Sequence, residues 1–134
     1  MKQVKGLPPN YDLIKLAVNP PPEAIFCYGD TIYNFSGETI PEDTLLHESI
    51  HTKQQGKNIE GWWNSWLNDK IFRYQQELEA YAAQYEFIKK HYPQKAVKEA
   101  LSEIARNLKS LYGLDISQGE AESNIRNYAI REKR

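Results

Sequence analysis

The first periodic run of apolar positions, Leu13, Ile14 and Val18, predicts a short amphipathic helix with Asn10 as its N-cap. Asn19-Pro20-Pro21-Pro22 ends it. Ala24 to Tyr28 and Thr31 to Ser36 then read as two strands, and Gly29-Asp30 between them as a two-residue hairpin turn of type II′. From residue 39 onward the pattern is helical. Thr39-Ile40-Pro41-Glu42 matches a capping box, with Pro41 tolerated in the first turn, and the helix it opens should stop at Gly56 after Gln55. Gly61 begins a Trp-rich segment leading into a long helix that ends before Pro93. Its stripe is Leu67, Ile71, Tyr74, Leu78, Tyr81, Tyr85 and Ile88, in alternating steps of four and three. A further helix spans residues 94–112 through Val97, Leu101, Ile104, Leu108 and Leu111. Ser117-Gln118-Gly119-Glu120 is a second capping-box pattern, opening a last helix through Ile125 and Tyr128 to Ile130. The apolar stripes of these two helices suit burial inside the chain or against a second copy, so oligomeric state is left open. The fold class expected is α+β, mostly helical, with a small N-terminal β-hairpin packed on helices.

Composition narrows the class. The 134 residues suit one domain over residues 1–134, without room for two independent cores. Lys and Arg number 17 against 18 Asp and Glu, so the chain has none of the basic excess that marks a nucleic-acid partner. A single Cys, Cys27, builds no disulfide framework and reads as a small buried hydrophobe in a strand. No apolar run approaches the roughly 20 residues needed to cross a bilayer. The N-terminal stretch reaches Leu7-Pro8-Pro9 with no signal-peptide core. The expectation is a cytoplasmic protein with no membrane partner.

One motif carries chemistry. His47-Glu48-Ser49-Ile50-His51 is HExxH, inside a predicted helix. Residues four apart share a helical face, so both imidazoles can bind one Zn²⁺ ion, and Glu48 is then placed to act as general base on a water activated there. By composition alone, a chance match is roughly a one-in-200 event. A catalytic zinc site takes a third protein ligand. The metzincin pattern would need Gly at position 54 and His at position 57; Gln54 and Lys57 exclude it. His91, in Lys89-Lys90-His91-Tyr92-Pro93, reads as a solvated residue favoured by the helix dipole. The long helix offers Glu77 and Glu79. At about 100° per residue, Glu77 lies roughly 70° from the stripe's centre and Glu79 roughly 130°, towards solvent. Glu77 is therefore the preferred third ligand and Glu79 the runner-up.

The HESIH helix followed by Glu77-Leu78-Glu79-Ala80-Tyr81 resembles the gluzincin metallopeptidases, in which two His on one helix and a Glu on a second hold zinc. Small HExxH metallopeptidases of bacteria and phages are similar as well. The shared landmarks there are His47 to Gln55, Trp62-Trp63 and Phe72-Arg73 ahead of the Glu. The likeness covers roughly residues 24–90. It implies a minimal zincin-like fold, a zinc cofactor, peptide or protein substrates, and Glu77 as ligand, with Ala80 completing a Glu-x-x-Ala spelling. It also implies a cleft bordered by the strand ahead of the HExxH helix, Thr31 to Ser36, to which an extended peptide can add by β-augmentation. Many gluzincins carry an Asp four residues after the ligand Glu, where this chain has Tyr81. The Tyr81 hydroxyl would orient a zinc-binding His or stabilise an oxyanion, unless it is a plain core residue.

Other residues have two readings each. Trp62, Trp63 and Trp66 form either a wall of a substrate pocket or a lid over the core. Arg73 either pairs with a carboxylate, of Glu77 or of a substrate terminus, or sits in a solvated i,i+4 pair. Gln54 and Gln55 line the cleft or finish the helix. The chain as a whole reads as a zinc metallopeptidase. The alternative is a zinc-holding scaffold without catalysis, whose closed site would take His91 or Glu79 as fourth ligand.

Overall fold

The computed structural model describes residues 1–111 and 115–132, and these are mostly helical with one small sheet. Elements follow in the order β1 (Lys2–Val4), α1 (Tyr11–Val18), β2 (Ile25–Tyr28), β3 (Thr31–Asn34), α2 (Glu42–Gln55), α3 (Ile59–Asn68), α4 (Lys70–His91), α5 (Gln94–Leu111) and α6 (Gln118–Glu132). The strand order is β1-β3-β2, with β1 parallel and β2 antiparallel to β3. Gly29 turns the hairpin at φ +64°, and a Cβ there would also meet the Ile59 side chain at 2.9 Å.

β1 is absent from the sequence expectation. Three exposed residues without alternation carry no strand signal, and only the pairing with β3 defines them. That pairing makes β3 the central strand, bonded on both sides. The edge strand beside α2 is β2, and its Ile25, Phe26 and Cys27 line the cavity there, so the strand that borders it is β2 and not Thr31 to Ser36.

Three helix starts differ from expectation. Pro41 is itself the N-cap of α2, in extended conformation and with no side-chain cap. The residue before a proline is pushed out of the α region, so Ile40 cannot be helical and Thr39 lies too far upstream to cap. Asn10 occupies the N-cap position of α1, but its side chain caps nothing. The Trp-rich segment is a helix of its own: α3 ends at Asn68, and Asp69 starts α4 by accepting from the amides of Ile71 and Phe72. Leu67 accordingly belongs to α3, and Ile71 is 64% exposed. Ser117 caps α6 as expected, accepting from Glu120 N–H at 3.1 Å. The expected end of the fifth helix at Tyr112 lies outside the described residues.

α4 is the organising rod, packed against α2, α3, α5 and α6. One side of it buries Tyr85 and Ile88 with Leu101, Ile104 and Leu108 of α5 and Ile125 of α6. Among the described residues, the stripe positions Leu101, Ile104, Leu108 and Ile125 are thus used within the chain. Nearer the start of α4, the same face presents Glu77 and Tyr81 to the histidines of α2, and Arg73 to Trp66 of α3. No described helix is long and apolar enough to cross a membrane.

Candidate metal centre

α2 has little apolar character, and its buried residues are His47, Glu48, His51 and Gln55. A helix that buries four polar side chains must satisfy each of them, and the partners come from the hairpin and from α4. Gln55 docks the hairpin: its Oε1 accepts from Gly29 N–H at 2.6 Å, and its Nε2 donates to the Cys27 carbonyl at 3.0 Å. It therefore neither lines the cleft nor merely ends the helix; it fixes β2 beside α2.

His47 and His51 sit one helical turn apart with their Nε2 atoms 3.2 Å from each other. Glu77, delivered by α4, meets both: Oε1 lies 3.3 Å from His47 Nε2 and Oε2 lies 2.9 Å from His51 Nε2. All three residues are buried, and one potential ligand atom from each falls within 4.8 Å of the others. Trp66 of α3 donates its indole N–H to Glu77 Oε2 at 3.1 Å. Two imidazole nitrogens and a carboxylate oxygen are the donor set of many catalytic zinc sites, so these residues fit that ion. Glu48 completes the picture. It is 5% exposed, and its Oε2 has no hydrogen-bond partner among the described residues.

Electrostatics follow from burial and crowding. Burial pulls the His51 imidazole down, but the Glu77 carboxylate beside it, helped by Glu48 and Gln54, carries it up to about 9. Burial pushes Glu77 the other way; the two histidines outweigh it and hold that carboxyl well below the usual carboxylate range. For Glu48, burial dominates and raises the carboxyl despite the neighbouring histidines, with the Glu77 charge adding to the rise. Burial likewise pushes the Cys27 thiol up to about 12, so it is a neutral wall group, 2.9 Å from the Thr52 hydroxyl.

The centre opens into a cavity of about 320 Å³ between β2, α2, α3 and α4. Its walls include all three tryptophans, Tyr81 and Phe26. The Trp62 ring lies tilted against His51, centres 5.3 Å apart, and its indole N–H donates to Gln76 Oε1 at 2.8 Å, so the tryptophans serve both as core and as wall. Tyr81 lies edge-on to His47, ring centres 4.5 Å apart. The partner of His47 Nδ1 is Gln84 Oε1 at 3.0 Å. Arg73 stands apart from the cavity. Its guanidinium is buried over the Trp66 ring and donates to the carbonyls of Trp66 and Leu67, closing the end of α3.

Neither runner-up ligand joins the cluster. Glu79 is half-buried behind His51, accepting from Gln54 at 2.6 Å and from the Tyr128 hydroxyl at 3.2 Å. His91 is exposed at the end of α4 against Phe87. Sequence reasoning missed Trp66 as a partner of Glu77, and Gln84 and Asp43 altogether. A signal existed: Asp43 precedes His47 by four residues and Gln84 follows Glu77 by seven, so each shares a helical face with a ligand.

Comparison with protein-family models, curated proteins and solved structures returns no match for this chain.

Proposed function

We propose that the chain is a zinc-dependent metallopeptidase with a gluzincin-like arrangement, in which His47, His51 and Glu77 hold the ion and Glu48 is the general base. The observation that carries this reading is the pairing of a three-donor cluster with a buried carboxylate whose Oε2 lacks a partner, on one cavity. Burying an unsatisfied carboxylate oxygen costs stability, and a task in proton transfer accounts for its presence. A zinc ion bound here would bring a water's pKa towards ~7 and polarise a peptide carbonyl. Glu48 takes up the proton of the attacking water and hands it to the leaving nitrogen. The edge strand β2 offers backbone groups to an extended peptide ahead of the Cys27 carbonyl, which Gln55 occupies. The tryptophan wall receives an apolar or aromatic side chain of that peptide. Tyr81, beside His47, is the neighbouring group suited to an oxyanion.

A closed, purely structural zinc site needs a fourth protein donor. The candidates, Glu79 and His91, are engaged or exposed elsewhere, which favours the open site of an enzyme. The test is cleavage of a peptide library by the zinc-loaded chain, read by mass spectrometry. Cleavage that chelation abolishes and zinc restores supports the reading; a zinc-loaded chain that cleaves nothing argues for the scaffold.

A further inference from the structure

Each histidine of the centre is gripped from behind in the same way. His47 Nδ1 faces Gln84 Oε1 at 3.0 Å, and Gln84 Nε2 donates to Asp43 Oδ2 at 2.8 Å. His51 Nδ1 faces Gln54 Oε1 at 2.7 Å, and Gln54 Nε2 donates to Glu79 Oε1 at 2.6 Å and to the Gln76 carbonyl at 3.0 Å. An ionised carboxylate can only accept, and so can a carbonyl. The amide NH₂ of each glutamine must therefore face away from the histidine, which turns the amide oxygen towards Nδ1. An oxygen there requires a hydrogen on Nδ1, and the neutral imidazole then keeps its lone pair on Nε2, the atom turned towards Glu77.

We propose that Asp43 and Glu79 are positioning residues that, through Gln84 and Gln54, lock both imidazoles in the tautomer a metal ion needs. This rests on the metal-binding part of the function proposed above and not on its catalytic part. Remote carboxylates fix amides, amides fix hydrogens, and the hydrogens fix lone pairs. The two relays are unequal. Gln54 keeps a second acceptor, the Gln76 carbonyl, whereas the amide of Gln84 depends on Asp43. Removing Asp43 frees the Gln84 amide to flip and present its NH₂ to His47, which favours the tautomer with the hydrogen on Nε2. Partners of this kind behind a metal-binding His typically change affinity by about 10–100-fold.

The test is zinc affinity by competition with a chromophoric chelator, with no activity readout. Asp43→Ala is expected to weaken zinc binding by about 10–100-fold, and Glu79→Ala by less. Gln84→Glu is also expected to weaken it, because two carboxylates then face each other. Combining Gln84→Glu with Asp43→Asn restores the hydrogen-bond polarity: the amide introduced at position 43 donates to the carboxylate introduced at position 84, which in turn accepts from His47. That double variant should regain near wild-type affinity and give the wild-type absorption spectrum when loaded with Co²⁺. A purely structural role for Asp43 predicts no such recovery. Wild-type zinc uptake with unaltered affinity in Asp43→Ala and Gln84→Glu, or a double variant no better than Gln84→Glu, overturns the relays alone. A wild-type chain that takes up no zinc overturns the metal centre, and the relays with it. Should Asp43→Ala fail to fold, the comparison of Gln84→Glu with the double variant decides.

Discussion

In the metal-free chain, stability should fall as pH rises from about 6.5 to 9, a window set by His51, with the raised Glu48 carboxyl acting in the same direction. Its imidazole titrates near 6.5 when unfolded and at about 9 when folded, because the Glu77 carboxylate 2.9 Å away favours the charged ring over the cost of burial. A group whose folded pKa is raised contributes fully below its unfolded value and loses that contribution as pH climbs through the folded one. The span between the two values, at about 1.4 kcal/mol per unit, sets an upper scale of about 3 kcal/mol. Glu77 contributes in the opposite sense: its lowered carboxyl stabilises above the ordinary carboxylate range and ceases to do so in acid. The assay is urea unfolding in the presence of a chelator at pH 6.5, 7.5 and 9, with Glu77→Gln as control. That substitution removes the charge that raises His51, so the slope across the window should flatten. A wild-type stability independent of pH from 6.5 to 9, or an equal slope in Glu77→Gln, refutes the reasoning. Added zinc should reverse the trend, since the ion competes with the His51 proton and binds more tightly as pH rises.

Glu48→Gln should retain one zinc per chain while peptide hydrolysis falls at least about 100-fold, read by metal analysis beside a cleavage assay. Trp66→Phe keeps an aromatic ring but removes the indole donor to the Glu77 carboxylate; a hydrogen bond to a buried charge is worth about 1.5–3 kcal/mol, and chelator competition should register the loss. Leu108→Ala empties a fully buried site between α5 and its neighbours and should cost about 2–5 kcal/mol in urea unfolding, leaving zinc stoichiometry at one. Asp69→Ala deletes the cap of α4, with an expected loss of about 1 kcal/mol by the same unfolding measurement.

Local chemistry was the most legible part of the chain. HExxH spacing states a shared helical face, and the wheel position of Glu77 at the edge of the apolar stripe is where α4 delivers it to both histidines. The Gly29-Asp30 turn and the stop at Gly56 were readable for the same reason, since each is a backbone requirement written in one or two residues. What escaped depends on partners distant in sequence. β1 exists only through β3, and that pairing decides which strand borders the cavity. The carbonyls of Trp66 and Leu67 as acceptors for Arg73 were not legible, because sequence alone does not show them turned towards it. Glu79 read as a runner-up ligand and Gln54 as a cleft or helix-end residue, while Gln84 and Asp43 carried no distinct reading; their placing behind the imidazoles required α2 and α4 to be packed together first.

Everything proposed for this chain turns on which atoms surround the ion. X-ray absorption and a crystal structure of the zinc-loaded chain would read this directly. Two imidazole nitrogens, from His47 and His51, one oxygen from Glu77 and a solvent ligand are the predicted shell. A fourth protein donor, or a Glu77 carboxylate turned away from both imidazoles, would contradict it.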